Sequence, residues 1–191
     1  MRYRWIPPLV VACAVTSAGA HSPSAPEAPR SAATNPSATM PVSELSPGAK
    51  IVAATLKSGL LRSRNSAQET SRPMPPEILE KLTPFFPRDL LESVRYSVGD
   101  VTPSGLAGFA IRNGNAAAVT LIDTVVFRHA DYVSDLTLWA HELHHVEQYR
   151  TWGVDGFAAR YAFSWAQVEV EARHRADAFR TWRETASAAI R

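Results

Sequence analysis

At 191 residues with 46% apolar side chains, the chain has the length of one domain plus a tail and enough hydrophobic content for a core. A formal charge of +2 is too small to argue for nucleic acid or an anionic membrane surface as a partner. The single cysteine, Cys13, excludes a disulfide framework and a thiolate-held metal in the folded part.

The first element in chain order is a leader. "MRYR" is basic, "WIPPLVVACAVTSA" is a short apolar run, and small residues precede His21. That order predicts a secretory signal peptide over residues 1–20 and an exported protein, periplasmic, extracellular or anchored at the cell envelope. No later segment reaches the ~18 apolar residues of a membrane-spanning helix. Val10-Val11-Ala12-Cys13 resembles a lipoprotein box, so acylation of Cys13 is the one route to a membrane; loss of Cys13 with the leader is the alternative. Residues 21–48 are rich in Pro, Ser and Ala and lack the apolar content to bury anything, which predicts a disordered linker.

Ile51, Val52, Leu56, Leu60 and Leu61 recur at helical spacing, predicting an amphipathic helix over 49–63. "RNSAQETSRPMPP" then breaks the pattern. Residues 49–72 thus read as a helix and connector, with the potential to cover the following domain (73–191) as a pro-segment. "PEILEKLTPFF" and "PRDLLESV" predict two short helices with proline near each start, where its missing N–H costs nothing. "VRYSVGDV" alternates weakly, as a strand does. "GLAGFAIR" and "AAAVTLI" flank Asn113-Gly114-Asn115, a hairpin signal, and "TVVF" predicts a further strand after a turn at Ile122-Asp123.

The period then changes. Ser134 or Asp135 can N-cap a helix from Leu136 that stops near Gly153. A short helix over 155–163 and a longer one over 165–185 complete an α+β chain with a small, antiparallel-rich sheet.

The first of these helices contains His141-Glu142-Leu143-His144-His145, a match to H-E-x-x-H. Residues i and i+4 project from one helix face, so His141 and His145 can reach one Zn2+ ion. Glu142, one step round, can face a zinc-bound water as general base. Leu136, Trp139, Ala140, Leu143 and Val146 form an apolar arc that lets the helix pack while the histidines face a cleft. A catalytic zinc of this kind usually has a third protein ligand. Glu169 lies beside the apolar face formed by Trp165, Val168, Ala172, Ala176 and Phe179, and a carboxylate there needs a partner. Glu169 is favoured, with Glu171, about 200° away, as the alternative. Gln148 shares the face of His145 and is a candidate cleft residue; Tyr161, His129 and Tyr132 are candidates to stabilise an oxyanion. His144 lies off the ligand face.

"LTLWAHELHHVEQYRTWGVDGFAARYA" followed by "EVEA" resembles a bacterial zincin-like family of unknown function, the peptidase-like domain named for the cores of extracellular contractile injection systems. Its members carry a similar H-E-L-x-H-V-x-Q helix and a later glutamate-containing helix. The resemblance is strongest over residues 136–161. It implies a minimal gluzincin fold, in which the C-terminal helix gives a glutamate ligand. Gluzincins often place an aspartate four residues after that glutamate to orient a zinc-binding histidine. Here Arg173 and Arg175 stand four residues after Glu169 and Glu171, so the sequence identifies no such partner. Gln148 and Thr151 stand where a metzincin needs Gly and His.

The expectation is an exported, monomeric zinc metallopeptidase of the gluzincin type, acting on a peptide or protein substrate through zinc on His141, His145 and Glu169 with Glu142 as base. The alternative is a non-catalytic, zinc-stabilised interaction module of a secreted effector or envelope assembly. A metal-free surface protein with an incidental motif stands third.

Overall fold

A computed structural model describes residues 42–99 and 116–189. The leader, Cys13, most of the linker, and the Asn113–Asn115 hairpin signal with its preceding strand lie outside the described residues. Among the described residues no helix is long and apolar enough to cross a membrane.

A 3-10 turn at Val42–Glu44 leads into helix α1, Pro47–Thr70. Ser46 caps it, its side chain accepting from Ala49 N–H at 3.3 Å, and Pro47 sits where a helix needs no donor. The linker therefore ends slightly earlier than its composition implies. The helix also outruns its apolar periodicity by a full two turns. Residues 64–70 stay helical because Ala67 is buried and Arg64 is held by Asp123; tertiary contacts override a weak local pattern. Two short strands and two short helices follow: β1 at Arg72–Pro73, α2 at Pro76–Leu82, α3 at Arg88–Ser93 and β2 at Arg95–Val98. Strands β3, Ala118–Leu121, and β4, Thr124–Phe127, form a hairpin closed by Ile122 and Asp123. Ile122 has φ of 62°, a value that β-branched residues rarely adopt.

The sheet order is β1-β2-β4-β3. β2 and β4 are parallel and the other two pairings antiparallel. β4 is buried along its whole length, and its alternation divides the core. Val125 and Phe127 join one cluster with Trp139, Leu143, Phe86 and Phe179, while Val126 joins another with Leu60, Tyr149, Phe157 and Val168. Side chains of a strand alternate between faces, so the two clusters lie on opposite sides of the sheet; the histidine-bearing segment packs mainly on the first and reaches the second through Tyr149, where it meets Leu60 of α1. Thr120 on β3 is two residues from Ala118 of the first cluster and so faces the histidine-bearing helix. Leu60 and Ala67 of α1 are buried in the second cluster and Leu56 packs against it, whereas Ile51, Val52 and Leu61, read from the sequence as the same apolar face, are exposed.

The chain from Leu136 to Ala189 is helical throughout except at Gly153 (φ 67°, ψ 170°) and Ser164 (φ −141°, ψ 32°). We treat it as α4 in three segments, 136–152, 154–163 and 165–189. Asp135 caps the first, its Oδ1 accepting from Thr137 and Leu138 N–H at 2.9 and 3.0 Å. The positive φ at Gly153 is open to glycine at little cost. Leu138, Trp139, Ala140, Leu143 and Val146 are buried in the first cluster. Phe85, Phe86, Phe179 and Trp182 pack edge-on or tilted around it, and the Arg175 guanidinium lies 4.5 Å from the centre of the Phe85 ring. The molecule is α+β, with a small mixed sheet and a long C-terminal helical region.

Candidate metal centre

Helical spacing places His141 and His145 on one face of segment 136–152, and the breaks at Gly153 and Ser164 bring segment 165–189 back across that face. The result is a buried cluster of His141, His145 and Glu169 that can hold a metal ion. His141 Nε2 and His145 Nε2 are 3.3 Å apart. Each is 3.5 Å from a different oxygen of Glu169, His141 from Oε2 and His145 from Oε1.

Those three distances, which join four donor atoms because each imidazole faces a different carboxylate oxygen, provide a test of fit. Ligand bonds of about 2.0–2.2 Å to a tetrahedral zinc put neighbouring donor atoms about 3.3–3.5 Å apart. Glu169 Oε2 is buried without a hydrogen-bond partner among the described residues, an arrangement that costs free energy unless a cation or donor meets it. Two imidazoles and one carboxylate at tetrahedral spacing suit a three-ligand zinc centre with one open position.

Electrostatics agree with the donor set. Burial lowers the pKa of His145 to about 4, against the pull of Glu169, so the ring is neutral at pH 7, as a metal ligand must be. Burial pushes Glu169 upward, but the adjoining His141 and His145 rings and the Tyr161 hydroxyl outweigh it and hold the carboxyl at about 2. Tyr161 donates to Glu169 Oε1 at 3.2 Å; burial and the neighbouring carboxylate keep its phenol protonated.

Glu142 is 1% exposed and bonds to the sheet. Thr120 Oγ1, on β3, donates to Glu142 Oε2 at 2.6 Å and lies 3.1 Å from the Glu142 carbonyl oxygen. Burial raises the Glu142 pKa and the Glu169 charge adds to it, while His141 and Thr120 act against both. Sequence reasoning missed Thr120. Its signal was a lone hydroxyl in the otherwise apolar run "AVTL".

The remaining sequence-derived candidates separate. Gln148, read as a cleft residue, is 3% exposed and uses its amide behind the metal face: His145 Nδ1 lies 2.8 Å from its Oε1. Its Nε2 donates to Val168 O at 3.2 Å and Glu171 Oε2 at 3.0 Å. Glu171, the alternative ligand, therefore braces Gln148 rather than joining the cluster, because helical phase turns it away from Glu169. His129 and Tyr132 pair with each other, ring centroids 5.8 Å apart, at the 3-10 turn Ala130–Ser134. His129 is exposed and Tyr132 packs on the first core cluster rather than at Glu169. Only Tyr161 of the three oxyanion candidates reaches the cluster. His144 bonds Glu147 at 2.9 Å, and Glu147 in turn accepts from Arg175 at 3.1 Å, a second tie between the two ligand-bearing segments.

No curated protein and no solved structure gives a match to the chain. Residues 73–153 match the family described as the eCIS core domain, a stretch that contains His141, Glu142, His145 and Gln148 and ends before Glu169. Over that stretch the chain is similar to an extracellular contractile injection system core-type domain.

Proposed function

We propose that this is an exported, zinc-dependent metallopeptidase of the gluzincin type, hydrolysing peptide bonds as a monomer. The observation that carries the reading is the buried cluster of two imidazole nitrogens 3.3 Å apart, each 3.5 Å from one oxygen of the Glu169 carboxylate, with a buried glutamate next in sequence to its first histidine. His141, His145 and Glu169 would hold the ion, which when bound supplies Lewis acidity and water activation near neutral pH. Glu142 takes a proton from water and returns it to the leaving amine; Thr120 holds its Oε2, and burial keeps its proton affinity above that of an ordinary carboxyl. Tyr161, whose single O–H proton rests on Glu169 Oε1, becomes the donor for the oxyanion of the tetrahedral intermediate by turning that proton away from the carboxylate. The signal-peptide pattern of residues 1–20 supports export, with acylation of Cys13 as the route to an envelope anchor.

Glu142→Gln preserves shape and removes the base. It is expected to keep one zinc per chain and lose hydrolysis of a broad peptide library. Cleavage at the wild-type rate would sink the mechanism.

The deep burial of His141, Glu142, His145 and Glu169, each at most 8% exposed, favours a second reading: a zinc-stabilised interaction module without turnover. One zinc per chain with no cleavage of any library peptide identifies it.

A further inference from the structure

The Gln148 amide can sit in only one orientation. Two groups flank its Nε2, the Val168 carbonyl at 3.2 Å and the Glu171 carboxylate at 3.0 Å, and both are acceptors only. A reversed amide would set its oxygen against both and forfeit two hydrogen bonds in a buried place. Glu171 is itself steadied from the other side, since Gln167 Nε2 donates to its Oε1 at 3.2 Å. The amide oxygen of Gln148 therefore faces His145 Nδ1, 2.8 Å away. An oxygen with no proton can only accept, so Nδ1 must carry the hydrogen.

We infer that Glu171 and Gln148 form a relay that fixes His145 as its Nδ1–H tautomer, leaving the Nε2 lone pair aimed at the point shared with His141 and Glu169 before any metal arrives. The inference deepens the metal-centre reading and rests on it. Val168 and Glu171 flank Glu169 on segment 165–189. The bonds that set the tautomer thus also set the register of the carboxylate ligand, and one chain of contacts aligns ligands from two helical segments. Gln148 and Glu171 are positioning residues; neither touches the ion. They take the place of the aspartate partner that the sequence does not supply. Groups that orient a metal-binding histidine this way are worth about 10–100-fold in metal affinity.

The test uses the full chain with 15N-labelled histidine, first in chelator. Long-range proton–nitrogen correlation of the wild type should show His145 protonated at Nδ1 and bare at Nε2. In Gln148→Met the ring should populate the Nε2–H tautomer as well. Competition with a chromophoric chelator should give zinc binding weakened about 10–100-fold in Gln148→Met. Glu171→Leu, which leaves the Val168 contact, should be intermediate. Glu171→Gln, whose own amide oxygen can still accept, should stay close to wild type. A wild-type His145 protonated at Nε2 overturns the relay, as does a folded Gln148→Met or Glu171→Leu variant that binds zinc as tightly as wild type. If Gln148→Met does not fold, the wild-type tautomer and Glu171→Leu still decide. A wild type that shows the Nδ1–H tautomer but binds no zinc would defeat the proposed function and leave the relay's geometry standing.

Discussion

Replacing Thr120 with valine keeps the side chain's shape and removes only the hydroxyl beneath Glu142. The bond it deletes is 2.6 Å long and ends on a buried carboxyl oxygen, which is the short range of a charge-assisted O–H···O⁻ contact. Such bonds contribute about 1.5–3 kcal/mol, against about 0.5–1.5 kcal/mol when both partners are neutral. The charged form of Glu142 thus loses about 1–2 kcal/mol more than the neutral form, and at 1.36 kcal/mol per unit its pKa rises by roughly one unit. That pKa already lies above the ordinary value because of burial. The folded variant therefore holds its proton to higher pH than the folded wild type. Its stability relative to wild type falls as pH rises through the wild-type folded pKa, and levels off above its own.

Thermal unfolding in chelator, at one pH below the folded wild-type pKa and one above that of the variant, reads this without any need for turnover. The extra 1–2 kcal/mol at the higher pH corresponds to about 2–8 °C in Tm for a domain of this size. In zinc-loaded protein, the acidic limb of the hydrolysis profile should move up by about one pH unit. A Tm difference between variant and wild type that is the same at both pH values would refute the reasoning, because Thr120 would then not distinguish the charge states of Glu142.

Zinc at a hundredfold excess over Kd stabilises by about 2.7 kcal/mol and should raise the wild-type Tm by about 5–10 °C; Glu169→Ala should abolish that rise and Glu171→Ala keep much of it. If Glu171→Ala is the variant that loses it, the ligand assignment is wrong. Asp123 is pushed up by burial, but its paired bonds from Arg64 hold it below the usual carboxylate range. Its contribution is therefore present above the unfolded carboxylate pKa and is lost as pH falls through the lower folded value. Asp123→Asn should lower Tm by about 2–4 °C at pH 7, for a part-buried pair worth about 1 kcal/mol, and by nothing once pH is below the folded pKa; an equal loss at both ends would exclude the ion pair as its source.

What the sequence made legible was whatever repeats at a fixed period. His141 and His145 share a face because four residues make about one turn, and Trp139, Leu143 and Val146 lie on the other. Phase alone favoured Glu169 over Glu171, and the geometry puts Glu169 in the cluster. Gly153 and Ser164 break α4 where turn-prone residues interrupt the pattern. Contacts between distant elements left no such trace. Nothing local in "AVTL" says that Thr120 will lie under a glutamate 22 residues later. Nothing in "RNSAQET" says that Asp123 will hold Arg64 and extend the helix through that run. Gln148 was placed on the correct face, but its role depends on Val168 and Glu171, which arrive only after two changes of chain direction.

Those changes of direction bear on insertions and deletions. All three donors, together with Gln148 and Glu171, come from residues 141–171. The connection between α2 and α3 supplies none of them, although its Phe85 and Phe86 pack on Phe179 and Arg175 of the segment that carries Glu169. One residue inserted between Ser164 and Glu169 would turn the carboxylate about 100° away from the two imidazoles, and would move Val168 and Glu171 off Gln148 in the same step. The centre is thus most vulnerable to gain or loss of chain between His141 and Glu171, where a single codon is enough to dismantle it.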